Sequence, residues 1–215
     1  MEKAEAVPDP HAITTVEQLA QLFGEVGEAS LKKEVSFIHP HYRALIEASP
    51  FAILATCGPG GLDVSPRGDP PGFVVVEDEK TLLVPERRGN NRIDSLRNLV
   101  ADPRVALLFL IPGVGESLRV QGRARITTEP ALLARFTMDG KPPKCVLVVQ
   151  VESVFFQCAR ALLRSRLWEP ESWAAERTVP SPGTILAAVS ALGESRIDGE
   201  KYDRELPERQ RSTLY

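Results

Sequence analysis

Apolar and polar positions along the chain change their spacing near residue 51. Before that point apolar residues recur every three or four positions, which is the period of one helix face. They are Val16, Leu19, Ala20 and Phe23 in one segment, and Tyr42, Leu45 and Ile46 in the next. Thr14 and Glu17 form a capping-box pattern at the start of the first helix, and Pro50 ends the second. Two helices are therefore predicted before residue 51.

After residue 51 the apolar segments are short and are separated by turn residues. Strands are predicted over 51–57, 62–67, 73–76, 81–84, 105–111, 118–127 and 145–156, and helices over 91–100, 130–138, 158–167 and 184–192. Residues 105–111 are nearly all apolar, so this strand is predicted to be buried on both faces. Strands joined by tight turns, without regular strand–helix alternation, favour a closed or nearly closed antiparallel barrel over a parallel sheet.

The economical organisation is one mainly β (α+β) domain with helical additions. Residues 1–34 are predicted to be a tail and a helix, residues 35–175 the β-domain, and residues 176–215 a C-terminal helix and tail of the same domain. No internal repeat and no low-complexity segment divides the 215 residues further.

Composition narrows the classes of function. The net charge of −3 gives no general electrostatic case for nucleic acid or an anionic membrane. The three cysteines are widely spaced and form no CxxC pair, which argues against a disulfide framework and a zinc site. His39 and His41 lack a third ligand nearby, so no metal is expected. Without a signal peptide or an apolar run of membrane length, the protein is expected to be soluble and cytoplasmic.

The segment from residue 85 to residue 92 is the strongest candidate for chemistry. Arg87, Arg88 and Arg92 stand with a glycine and two asparagines where a predicted strand ends and a helix begins. A helix N-terminus carries unpaired N–H groups and a partial positive charge, and arginine forks suit phosphate. The segment is thus either a phosphate site or a solvated basic turn with an asparagine cap.

Three other segments carry weaker signals. Ser65 and Arg67 lie where a strand meets a Pro-Pro-Gly turn and could contact a polar ligand, although the segment taken alone favours a simple turn. Strand periodicity places Arg119, Gln121, Arg123 and Arg125 on one face, which meets water, a ligand or a partner subunit. The segment 160–168 is either a basic helix anchored by Trp168 or a contributor to a site across a dimer interface.

Several segments, in this order, resemble the pyridoxamine 5′-phosphate oxidase-related flavoproteins, and are most similar to a bacterial subgroup of FMN-dependent enzymes. The matching stretches span about residues 35–175: FAILAT from Phe51, DVSPRGD from Asp63, RRGNNR from Arg87, NLVADPRV from Asn98, RVQGRA from Arg119, and RLW from Arg166. Each motif alone is modest, and their collinear order carries the resemblance.

The resemblance implies a split antiparallel β-barrel with peripheral helices, working as a homodimer with FMN at the subunit interface. Ser65 and Arg67 would approach the ring and ribityl region, and Val84 and Pro85 would also bind the cofactor. Arg87, Arg88, Asn91 and Arg92 would hold the phosphate. Gln121 would reach the flavin from the same or the partner subunit, and Arg166 and Trp168 would belong to the segment that closes over the ring.

The chain also departs from the oxidase itself. Arg67 is followed by Gly-Asp-Pro-Pro instead of an apolar run and a lysine, and no Arg-x-His triplet is present. Pyridoxamine phosphate is therefore not the expected substrate. The sequence predicts an FMN-dependent oxidoreductase acting on an unidentified small molecule or on NAD(P)H, with no catalytic residue assigned. The alternatives are a non-catalytic flavin-binding or stress protein, and a relative that binds deazaflavin or haem.

Overall fold

A computed structural model of the chain describes residues 9–175 and 177–215, and divides into two compact units, Met1–Glu34 and Val35–Tyr215. The first unit contains helices α1 (Val16–Phe23) and α2 (Glu28–Lys32). The capping box at the start of α1 is formed by Thr15 and Gln18, one position later than the Thr14–Glu17 pair that we predicted. Helix α2 was not predicted, because five residues are too few to show a helical period.

The second unit is built on seven strands. They are β1 (Phe51–Gly58), β2 (Gly61–Gly68), β3 (Val75–Asp78), β4 (Thr81–Glu86), β5 (Arg104–Leu110), β6 (Ser117–Thr127) and β7 (Cys145–Gln157). The helices are α3 (Pro40–Ala48), α4 (Asp94–Ala101), α5 (Pro130–Arg135), α6 (Arg160–Ser165), α7 (Pro182–Ser190) and α8 (Gly199–Ser212), with a short 3₁₀ turn at Pro170–Ser172. No described helix has the length and apolar character that crossing a bilayer requires.

All seven strands belong to one antiparallel sheet in the order β2-β1-β5-β6-β7-β4-β3. Among the described residues no pairing joins the edge strands β2 and β3, so the sheet is open, not closed. It curves enough for Arg67 on β2 to reach Glu86 at the end of β4, with 3.0 Å between Nε and Oε2. A split thus runs between β2 and β4, in an α+β fold with antiparallel sheet as expected.

The core fills the inner face of this curved sheet. Leu54, Leu107, Val120 and Leu147 from four different strands are 0–2% exposed. Strand β5 alternates between buried and half-buried residues. The prediction that it is buried on both faces was therefore wrong, because the side chains of its outer face stay half-buried.

Candidate functional site

A cavity of about 620 Å³ opens at the split between β2 and β4. One wall is the inward face of β2, where Asp63, Ser65 and Arg67 alternate with exposed neighbours. The opposite wall is formed by the end of β4, the loop of residues 87–93 and the first turn of α4, with Lys144 beside them. The cavity therefore lies on the same face of the sheet as the core, at its open edge.

The loop before α4 takes a different path from the predicted one. Helix α4 begins at Asp94, not at Asn91, and its N-cap is Ile93 without a side-chain cap. Asn91 and Ile93 both have left-handed backbone conformations, with φ of 60° and 53°. Two such residues cannot belong to a right-handed helix. Arg88 and Arg92 are consequently held on an irregular loop in the cavity wall, not on the helix.

The basic side chains around the cavity differ in how far acidic groups already neutralise them. Arg87 donates through Nε to Asp69 at 2.7 Å and through Nη1 to the carbonyl of Phe136. Arg92 donates to Asp94 at 2.7 Å and is 75% exposed. Within the described residues, Arg88 and Lys144 form no ion pair, so they are the positive charges that are left for a ligand.

Arg67 and Glu86 form a largely buried ion pair in which both partners line the cavity. Their side chains are 14% and 17% exposed. Burial raises the pKa of Glu86, against the opposing effect of Arg67. On the neighbouring strand, burial raises the pKa of the Cys145 thiol to about 11, with a further contribution from Glu86. Cys145 is therefore protonated at neutral pH, and this thiol is not suited to act as a nucleophile.

Hydroxyl and carboxyl groups continue the wall from Arg67 toward Asp63. Arg67 Nη1 donates to Ser65 Oγ at 2.9 Å, Ser65 Oγ lies 2.8 Å from Ser95 Oγ, and Ser95 Oγ donates to Asp63 Oδ2 at 2.7 Å. Ser95 is 5% exposed and comes from the first turn of α4, so this chain of hydrogen bonds connects α4 to β2.

Seven of the eleven sequence-predicted ligands line this one cavity: Ser65, Arg67, Pro85, Arg87, Arg88, Asn91 and Arg92. Val84 does not, because its side chain is fully buried in the core. Gln121 pairs with Ala106 and lies on the outer face of β6, opposite to the cavity face. Arg166 and Trp168 do not line the cavity either. Arg166 is paired with Glu169, and Trp168 donates to the carbonyl of Val114. Their roles as flavin ligands stay predictions.

Sequence reasoning missed Asp63, Glu86, Ser95 and Lys144, which also line the cavity. Asp63 could have been found, because strand periodicity puts it on the same face as Ser65 and Arg67. Lys144 gave no local signal, since it reaches the site only because β7 pairs with β4.

A protein-family model described as pyridoxamine 5′-phosphate oxidase matches residues 38–158. Among solved structures, HupZ from Group A Streptococcus is 24% identical, covers 56% of this chain and 94% of its own, and has a TM-score of 0.46. A Clostridium acetobutylicum protein related to general stress protein 26 of Bacillus subtilis is 15% identical, with 55% and 86% covered and a TM-score of 0.43. General stress protein 26 of Bacillus anthracis is 15% identical, with 53% and 88% covered and a TM-score of 0.39. No curated protein sequence matches the chain.

Proposed function

Because the chain belongs to the pyridoxamine 5′-phosphate oxidase family, we propose that it is an FMN-dependent oxidoreductase acting on a small organic molecule. The observation that carries this proposal is the cavity at the split, where basic side chains outnumber acidic ones by five to three. The basic ones are Arg67, Arg87, Arg88, Arg92 and Lys144, and the acidic ones are Asp63, Glu86 and Asp94.

The basic end of the cavity suits a phosphate monoester. Arg88 and Lys144 have no acidic partner within the described part of the chain, and Arg67 keeps N–H groups beyond those it donates to Glu86, Ser65 and Pro66. Hydrogen bonds between such groups and a dianion are charge-assisted and are among the strongest in proteins. Arg87 is held by Asp69, so its role is to shape the loop and support this end of the cavity.

The rest of the cavity suits the remainder of FMN. A volume of about 620 Å³ lies within the usual 300–1,000 Å³ of small-molecule sites. Phe73, Pro85 and Leu96 supply apolar surface for a ring, and Ser65 and Ser95 supply polar contacts for a hydroxylated chain. When bound, the flavin supplies the two-electron chemistry, and the protein binds it, orients it and excludes water. The absence of an evident catalytic triad in the sequence agrees with this division of roles.

We also propose a homodimer, supported by an apolar outer face of the sheet. Strand register places Leu62 and Val64 of β2 beside Cys57 and Ala55 of β1, and Leu108 of β5 beside Ile53. In the single chain Leu62 is 85% and Val64 65% exposed. A contiguous apolar surface of this kind is typical of an interface. Gln121 flanks it, so Gln121 could contact a flavin in the partner subunit but not in its own.

Absorbance of the purified protein and titration with FMN test the proposal. We expect a saturable flavin spectrum, its bleaching by NADH or NADPH under anaerobic conditions, and recovery in air. Binding without bleaching by either reductant would indicate a flavin-binding protein without this turnover. A protein that binds no FMN would contradict the proposal itself.

A further inference from the structure

The hydrogen bonds along the cavity wall have a direction that elementary chemistry fixes. A guanidinium only donates, an ionised carboxylate only accepts, and a serine has one hydroxyl hydrogen. Ser95 donates its hydrogen to Asp63, so the 2.8 Å bond between the two serines must use the hydrogen of Ser65. Ser65 in turn accepts from Arg67 at 2.9 Å. The donors and acceptors are therefore fixed along this series of hydrogen bonds, which runs from Arg67 through Ser65 and Ser95 to Asp63.

This direction makes the two ends of the wall chemically different. Both serine hydrogens are used, so Ser65 and Ser95 can offer a ligand only their remaining lone pairs, and Asp63 likewise only accepts. Arg67 uses three of its five N–H groups on Glu86, Ser65 and Pro66, which leaves both Nη2 hydrogens available. The wall thus donates at Arg67 and accepts from Ser65 to Asp63.

We propose that Asp63 and Ser95 are positioning residues that make the cavity selective for a phosphorylated polyol. Asp63 fixes the hydroxyl of Ser95, which fixes that of Ser65, so the ligand groups opposite them must be donors. Arg67 Nη1 lies 2.9 Å from Ser65 Oγ, so the acceptors begin directly beside the phosphate-binding end. This inference rests on the proposed function, in which the polyol is the ribityl chain of FMN.

The charge of Asp63 supports the same assignment. Among the described residues no cation forms an ion pair with Asp63, and Arg92, which interacts with it electrostatically, is already paired with Asp94. A phosphate placed beside Asp63 would therefore be repelled. The hydroxyl groups of a polyol carry no charge and can donate to a carboxylate. The arrangement therefore favours phosphate at the end formed by Arg67 and Lys144, which both contact Glu86, and hydroxyl groups at the Asp63 end.

A simpler role for this series of hydrogen bonds would be only to stabilise the packing of α4 against β2. The two roles differ in what they do to ligand discrimination. If the chain only fastens α4, its loss weakens all flavin phosphates alike. If it selects donors, its loss affects FMN and spares an analogue that keeps the ring and phosphate but lacks the ribityl hydroxyl groups.

The experiment measures the dissociation constants of FMN and 2′,3′,4′-trideoxy-FMN by flavin fluorescence. It compares the wild type with Asp63→Asn, Ser95→Ala, Ser95→Thr and the distant control Ser165→Ala. Asp63→Asn is informative because an amide can donate to Ser95, whereas a carboxylate only accepts. The direction of the hydrogen bonds through Ser95 and Ser65 is then no longer fixed. Melting temperatures are recorded for every variant, and Asp63→Asn, on the half-buried edge strand, carries the test if Ser95→Ala does not fold.

We expect the wild type to prefer FMN over the analogue. Asp63→Asn and Ser95→Ala should reduce that preference by about three- to tenfold, the range for one hydrogen bond, while Ser95→Thr and the control retain it. An unchanged preference in Asp63→Asn, or an equal loss of affinity for both ligands, would overturn this inference. The proposal that the protein binds FMN would still stand. A wild type that binds neither ligand would instead remove the proposed function, and this inference with it.

Discussion

Arg88 and Arg92 are equivalent candidates in the sequence, but the structure shows that they differ in whether an acidic group already neutralises them. Arg88 lies at the cavity without an acidic partner in the described part of the chain, and Arg92 is already paired with Asp94. We predict that Arg88→Ala weakens FMN binding much more than Arg92→Ala. The ranking follows from how much of each charge remains available to a phosphate.

The magnitudes come from the contacts. Loss of a hydrogen bond to a charged group costs about 1.5–3 kcal/mol, so Arg88→Ala should raise the dissociation constant by about 10- to 150-fold. The Arg92 side chain is 75% exposed and its charge is offset by a carboxylate 2.7 Å away. Solvent-exposed pairs contribute about 0–1 kcal/mol, which corresponds to at most about a fivefold change.

Isothermal titration with FMN at low and high salt measures both effects. Arg204→Ala, on the exposed side of α8, is the matched control and should bind as the wild type does. The effect of Arg88→Ala should shrink at high salt, because screening weakens the contact that the variant lacks. A loss for Arg92→Ala equal to or greater than that for Arg88→Ala would refute the reasoning.

Three further predictions concern stability and assembly. Burial raises the pKa of Glu86 above its ordinary 4.5. The folded protein therefore binds this proton more tightly than the unfolded chain does. As a result, the contribution of Glu86 to stability falls as the pH rises from 4.5 through the raised pKa of the folded state. Relative to wild type, the melting temperature of Glu86→Gln should therefore rise between pH 4 and pH 7, and a constant difference would contradict this. Val64→Lys should shift a dimer toward monomer in size-exclusion chromatography, and a Val64→Lys dimer as stable as the wild-type dimer would exclude this face as the interface. Gly122→Ala should destabilise the fold by about 1–3 kcal/mol in denaturant unfolding, since its Cβ would collide with the carbonyl of Gln150. An unchanged midpoint would argue against this close approach of β6 to β7.

The strands were predictable because their alternation and their turns are local properties. All seven lie within a few residues of the predicted positions, and helix α3 was also predicted. Helix α8 was not separated from the predicted tail, because its sequence is largely polar and its Pro207 interrupts the usual pattern. The start of α4 was placed too early, since nothing local in the sequence predicts a left-handed Ile93.

The candidate site was predictable only as far as its residues are neighbours in sequence. The segment 87–92 and the pair Ser65 and Arg67 were recognised as local clusters, and the structure brings them to one cavity. The neutralisation of Arg67 by Glu86 and of Arg87 by Asp69 depends on how the sheet curves and could not be read from spacing. The face on which Gln121 lies was predicted correctly, but not that this face is opposite to the cavity.

The central claim is that the basic side chains of this cavity bind the phosphate group of FMN. Titration of the wild-type protein with FMN and with riboflavin, which differ only in that phosphate, tests it most directly. The account predicts one FMN per chain and binding at least about tenfold tighter than that of riboflavin, as expected for one or more charge-assisted hydrogen bonds. Equal affinity for the two flavins, or no measurable binding of FMN, would contradict it.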